Sequence, residues 1–145
     1  MRQVDRTALV PHTPEQMFAL VEDFEKYPQF VPWVAGAELL EHGVDIVVAR
    51  LDMHRSGLRA RFTTRNTLHR PSEIRMQLVD GPFRSLDGRW TFHPIANRGT
   101  KVDLKINFDL ANPMMNLLVG RTFEKSCGEL VDAFVARARA VYGIT

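Results

Sequence analysis

The chain has 145 residues, 45% of them hydrophobic and 25% charged, with a formal net charge of +2 and one cysteine. That length and balance suit one compact domain, and they exclude a disordered, fibrous or disulfide-stabilised chain. No stretch has the apolar length needed to cross a bilayer, and MRQVDRTALVPH at the start has no apolar run of signal-peptide length, so a cytoplasmic protein is expected.

The first segment, RQVDRTALV, reads as extended and ends at Pro11. In HTPEQMFALVEDF, Thr13 stands as a helix N-cap, Pro14 at the first helical position and Gln16 three residues past the cap, which is a capping-box pattern. Met17, Phe18, Leu20, Val21 and Phe24 give this short helix an apolar face. The connector YPQFVPW (Tyr27 to Trp33) follows, and Pro28 and Pro32 prevent one regular helix from running through it. Three aromatics in seven residues are far more apolar surface than a polar loop carries.

From residue 34 to 110 the pattern turns to period 2, interrupted near His42-Gly43, Ser56-Gly57, Arg70-Pro71, Asp80-Gly81-Pro82 and Asn97 to Gly99, and reads as six strands joined by short turns. In TKVDLKINFDL the alternation of Val102, Leu104, Ile106, Phe108 and Leu110 with polar residues predicts one buried and one wet face. The same alternation turns Val47, Ala49, Leu51 and Met53 inward. On the next strand Leu58, Ala60, Phe62, Thr64 and Asn66 face in, followed by Ile74, Met76 and Leu78, then Leu86, Gly88, Trp90 and Phe92.

The last segment is built to cover such a sheet. Asn112 is a good N-cap, Pro113 a good first helical residue and Gly143 a natural stop, so a helix of about 45 Å is predicted at about 1.5 Å per residue. Phe123, Cys127, Leu130, Val131, Phe134, Ala138 and Val141 form its buried stripe. MMNLLVG near its start is apolar around most of the helix, and Gly120 falls on the stripe. A glycine there leaves a notch, filled by a close strand or left open for a guest molecule.

Charge is unevenly spread. Residues 50 to 98 hold ten arginines against four acids, whereas the rest of the chain is net acidic. Arg suits bidentate phosphate contact better than Lys does. Arg59, Arg61 and Arg65 would share one outward row, with Arg50, Arg75 and Arg89 on other strands, and no aromatic interleaves the row to stack on bases.

Four stretches together carry a resemblance: Arg6 to Trp33, FTTRN (Phe62 to Asn66), MQLVDGPFRSLDGRWTF (Met76 to Phe92) and the F-D-L ending of the last strand. With them, almost the whole chain resembles the bacterial ribosome-association toxins of the RatA type and the mitochondrial coenzyme Q-binding proteins, within the START-like superfamily of polyketide cyclases and lipid transporters. The resemblance implies an α+β helix-grip fold in one domain, residues 1–145: a curved seven-stranded antiparallel sheet around a long C-terminal helix, with one or two short helices after the first strand. It implies a hydrophobic tunnel for a ubiquinone-like isoprenoid lipid, with no required cofactor, and for bacterial members an ability to hinder ribosomal subunit joining.

The candidate ligand contacts follow by combining that tunnel with the facing of the strands. They are Tyr27, Phe30, Val31 and Trp33 as a lid or rim met by the MMNLLVG turn, then Phe62, Thr64 and Asn66, Met76 and Leu78, Trp90 and Phe92, and on the helix Asn116, Gly120 and Phe123. Asn, Thr or Trp90 donors would meet quinone carbonyls. The expected partners are a hydrophobic small molecule, a peripheral contact at the inner membrane, and the large ribosomal subunit through the six arginines, with no DNA. Catalysis is not expected: G-x-S-x-G, H-E-x-x-H, C-x-x-C and a phosphate loop are absent, Asp52 and His54 lack a third partner for a metal, and Cys127 reads as a small hydrophobe. An aromatic cyclase-like enzyme is the third reading, behind lipid binding and ribosome binding.

Overall fold

The computed structural model describes residues 2–96 and 98–143. Asn97, part of one predicted turn, lies outside the described residues. The chain runs β1 (Arg2–Val10), α1 (Pro14–Glu22), a 3₁₀ helix (Phe24–Gln29), β2 (Val34–His42), β3 (Ile46–Arg55), β4 (Leu58–His69), β5 (Glu73–Asp80), β6 (Phe83–Pro94), β7 (Thr100–Leu110) and α2 (Pro113–Tyr142). The seven strands form one antiparallel sheet in the order β1-β7-β6-β5-β4-β3-β2, so β1 crosses to the far edge and pairs with β7.

Local chemistry sets the ends of the helices. Thr13 Oγ1 accepts from the Gln16 amide at 3.1 Å while the Gln16 side chain accepts from the Thr13 amide at 2.9 Å, the reciprocal capping box. Asn112 Oδ1 accepts from the Met115 amide at 2.8 Å and opens α2. Gly143 closes it at φ 89°, a left-handed conformation suited to glycine. Proline breaks the regular helix after α1, and Pro28 is held inside the 3₁₀ turn.

The core lies between the concave face of the sheet and α2. Inward side chains align across strands, so Ile74, Trp90 and Leu104 occupy one row and Met76, Gly88 and Ile106 the next. Register shifts sit in β2, at the Thr63/Thr64 junction and near Ser85. The central rows therefore keep the facing their alternation predicts.

On α2 the stripe of Phe123, Cys127, Val131, Phe134 and Ala138 is buried, but Val141 is half exposed. In the last turn Tyr142 takes over the docking, its hydroxyl donating to Gln16 O on α1 at 3.1 Å, which turns Val141 to solvent. The turn at MMNLLVG does not meet the aromatic connector. Tyr27 and Phe30 pack edge-on against Phe134, with ring centroids 5.2 and 5.1 Å away, and Arg137 lies 5.0 Å over the Phe30 ring. Phe134 is 16 residues beyond Leu118, about 24 Å along the helix. No described helix is long and apolar enough to cross a membrane.

Candidate ligand cavity and outer sheet face

An interior cavity of about 80 Å³ lies between the sheet and the middle of α2. The sheet lines it with Leu51 and Met53 from β3, Phe62 and Thr64 from β4, Met76 from β5, and Leu86, Gly88 and Trp90 from β6. Phe123, Ser126, Cys127 and Leu130 close it from α2, and Tyr27 and Trp33 from the connector. The backbone is closely approached at Gly88: a methyl group on it would meet Met76 Cε at 2.7 Å and press the Lys105 carbonyl at 3.1 Å. The Met76 side chain thus occupies room that glycine leaves. An engineered cavity of roughly 150 Å³ in another protein holds benzene, so a substituted quinone ring needs these walls to move. Methionines at 53 and 76 are the side chains best suited to do so.

Trp33 is only partly buried while it lines the cavity, so the wall it forms is also protein surface. Arg55 lies over its ring at 5.3 Å and donates from Nη1 to Ser126 Oγ at 3.0 Å and to Glu129 Oε2 at 2.9 Å. A second bond, Nη2 to Glu129 Oε1, spans 3.3 Å. The end of β3 is in this way clamped to the middle of α2 across the Trp33 ring. The hydrogen bond from Arg55 holds the Glu129 carboxyl below its ordinary range.

The remaining candidate residues divide between cavity and core. Tyr27, Trp33, Phe62, Thr64, Met76, Trp90 and Phe123 line the cavity. Val31 and Phe92 are buried in the core, Phe30 sits on Phe134, and Leu78 is half-buried beside the Thr64 register position. Asn66 is fully buried, and its Nδ2 donates to Val47 O, Thr64 O and Thr64 Oγ1 at 3.1 to 3.2 Å, so it supports Thr64 from behind.

Gly120 and Asn116 are corrections. Asn116 Oδ1 accepts from Arg2 Nε at 3.1 Å, and a methyl group at Gly120 would overlap that same guanidinium. The notch is filled by Arg2 of β1, which also pairs with Glu124 at 3.1 Å. Gly128 receives Arg6 in the same manner two turns further on.

Several lining residues were missing from the sequence-based set. Leu51, Met53, Leu86 and Gly88 already faced inward by alternation, and Cys127 and Leu130 lay on the buried stripe, so the signal existed. Ser126 carried none, being a small polar residue beside Cys127. Burial pushes the Cys127 thiol up to about 12, with the Glu124 charge adding to it. The side chain stays a protonated thiol, unlike an activated nucleophile. Asp52, the other candidate for acid-base chemistry, is held by Arg61 at 2.6 Å.

The outer face of the sheet presents the arginines as expected, but most are paired. Arg50 meets Glu38 at 2.6 Å, Arg61 meets Asp52, and Arg75 and Arg89 share Glu73 at 2.9 and 3.7 Å. Arg59 and Arg65 are exposed and have no carboxylate within 4.0 Å among the described residues.

A curved sheet gripping a long helix around an apolar cavity is the architecture of a known family. Residues 10–135 match the model of the polyketide cyclase/dehydrase and lipid transport family. The chain belongs to this family. Its relatives include the ribosome association toxin RatA of Escherichia coli, 40% identical over 98% of this chain and 90% of the relative. The mitochondrial coenzyme Q-binding protein COQ10 of Drosophila melanogaster is 26% identical over 95% of this chain and 59% of its own length. Among solved structures, the 18 kDa protein CC1736 of Caulobacter crescentus is 32% identical, covers 99% of both chains and superposes with a TM-score of 0.78.

Proposed function

We propose that the protein is a noncatalytic binder of a ubiquinone-type lipid, taking the ring into the cavity between the sheet and α2 and supporting quinone delivery or respiration. The observation that carries this reading is the cavity itself, an apolar space between the sheet and α2 walled by Leu51, Met53, Met76, Leu86 and Phe123. The family's lipid-transport members and the coenzyme Q-binding relative point the same way. On this reading the protein works in the cytoplasm and touches the inner membrane peripherally to exchange its ligand. Organic extraction of gently purified protein followed by mass spectrometry tests it. A stoichiometric isoprenoid quinone is the expected result, and repeatedly empty protein with no affinity for added quinone overturns it.

A second reading, association with the large ribosomal subunit, is favoured by the unpaired Arg59 and Arg65 and by the name of the Escherichia coli relative. Phosphate contact through these side chains would weaken steeply with salt. The carboxylates paired with Arg50, Arg61, Arg75 and Arg89 lessen the pull of the rest of the face. Overproduction should enrich free subunits in ribosome profiles, and the Arg59→Glu/Arg65→Glu double variant should abolish the effect. Unchanged profiles would remove this reading. The two functions use opposite faces of the sheet and do not compete for residues.

A further inference from the structure

We infer that the cavity prefers the oxidised, carbonyl-bearing form of its ligand over the corresponding hydroxylated form, an inference that rests on the hydrophobic-ligand reading. The reason lies in what each polar group on the wall still has to offer. Tyr27 donates its phenolic hydrogen to Val21 O at 2.5 Å. Ser126 donates to Thr122 O at 2.8 Å and accepts from Arg55. Both hydrogens are committed within the protein.

Thr64 is different. The Asn66 amide nitrogen faces the carbonyls of Val47 and Thr64, which only an NH₂ group can meet, and this fixes the orientation of the amide. The same nitrogen lies 3.1 Å from Thr64 Oγ1 as a donor. A hydroxyl facing a donor turns its own hydrogen away, and among the described residues no acceptor receives the Thr64 hydrogen. The Trp90 indole N–H, on the same wall, likewise has no acceptor among the described residues. The uncommitted groups on the wall itself are therefore donors, while the one buried side-chain acceptor without a partner among the described residues, Asn66 Oδ1, does not line the cavity.

Strong side-chain acceptors are missing from the same wall, since no carboxylate, amide or imidazole lines it. A quinone brings two carbonyl acceptors and no donor, and it satisfies Thr64 and Trp90 without leaving a hydrogen stranded. A quinol brings two hydroxyl hydrogens into a space with only weak hydroxyl oxygens to take them, and burying an unsatisfied donor is costly. Thr64 thus acts as the specificity-determining contact and Asn66 as its positioning residue.

The test is anaerobic calorimetric titration of the full chain with decylubiquinone and with its chemically reduced quinol. The quinone should bind about tenfold more tightly, the ratio expected from one neutral hydrogen bond. Thr64→Val keeps the shape and leaves Asn66 with its two carbonyls, so the variant should fold and lose most of the preference. Thr64→Ser should keep it. Equal or tighter quinol binding by the unmodified protein overturns the inference, as does full preference in Thr64→Val. Binding of neither form overturns the ligand reading itself and the preference with it.

Discussion

The two ends of α2 differ in how their apolar residues are treated. In its C-terminal half Phe134 is 1% exposed, enclosed by Tyr27, Phe30 and Trp90 with ring centroids 5.1 to 5.2 Å away, and α1 leans on the last turn. In its N-terminal half Met114, Leu117 and Leu118 are 64%, 79% and 58% exposed. Hydrophobic composition alone thus does not say where a helix is buried. The difference arises because the proline-broken connector can cover only one end, and it covers the end where the aromatic residues interlock. The cavity lies between the two, against the stretch of α2 from Phe123 to Leu130.

Removing the interlock should have the largest effect. Phe134→Ala deletes a ring in contact with three others, and a loss of about 3–5 kcal/mol in urea unfolding is expected. A loss below about 1 kcal/mol would show that the covered end does not dominate stability. Trp33→Ala, at the margin between core and surface, should weaken quinone uptake by about tenfold while costing less stability than Phe134→Ala. An unfolded protein, or unchanged uptake, would make Trp33 a plug of the core and not a gate.

The Arg55–Glu129 clamp is expected to matter less and to depend on pH. Because the Glu129 carboxyl is held below its ordinary range, its contribution is complete above a pH of about 4.3 and fades as pH falls through the lower folded value. Glu129→Gln should therefore lower stability slightly, by no more than about 1 kcal/mol near neutrality, with the gap closing in acid. A gap that widens in acid would contradict the assignment. Smallest of all, the Leu117→Ser/Leu118→Ser double variant should shift stability by no more than about 0.5 kcal/mol, since both side chains are already in water. A larger loss would mean that the bare end is covered after all.

Much of the fold was legible because it is written locally. Thr13 with Gln16, Asn112 with Pro113, and the period-2 runs each specify their element within a few residues. The facing of Met76 and Trp90 was legible for the same reason, since the register shifts lie away from their rows, and Thr64 lines the cavity as its alternation predicts although a shift falls beside it. What escaped was contact between distant residues. Arg2 reaches Asn116 across 114 positions, and nothing in the spacing of α2 shows that Gly120 makes room for an arginine and not for a lipid. The ion pairs that quiet four of the six outer arginines depend on cross-strand and near-strand geometry, which charge counting along the chain does not contain. The connector's choice of Phe134 over MMNLLVG likewise depends on where the chain turns after α1.

The buried Cys127 gives the protein a built-in clock. It is the sole thiol of the chain, it stands on the cavity wall, and its displaced ionisation leaves almost no thiolate at neutral pH while the walls are closed. A maleimide can therefore react only during excursions in which water and reagent enter. At high reagent the labelling rate becomes the opening rate itself, and at low reagent it reports the fraction of time spent open. On the proposed lipid-binding reading, the breathing needed to admit a guest, and its arrest once the guest is seated, become readable from one mass shift without adding a probe.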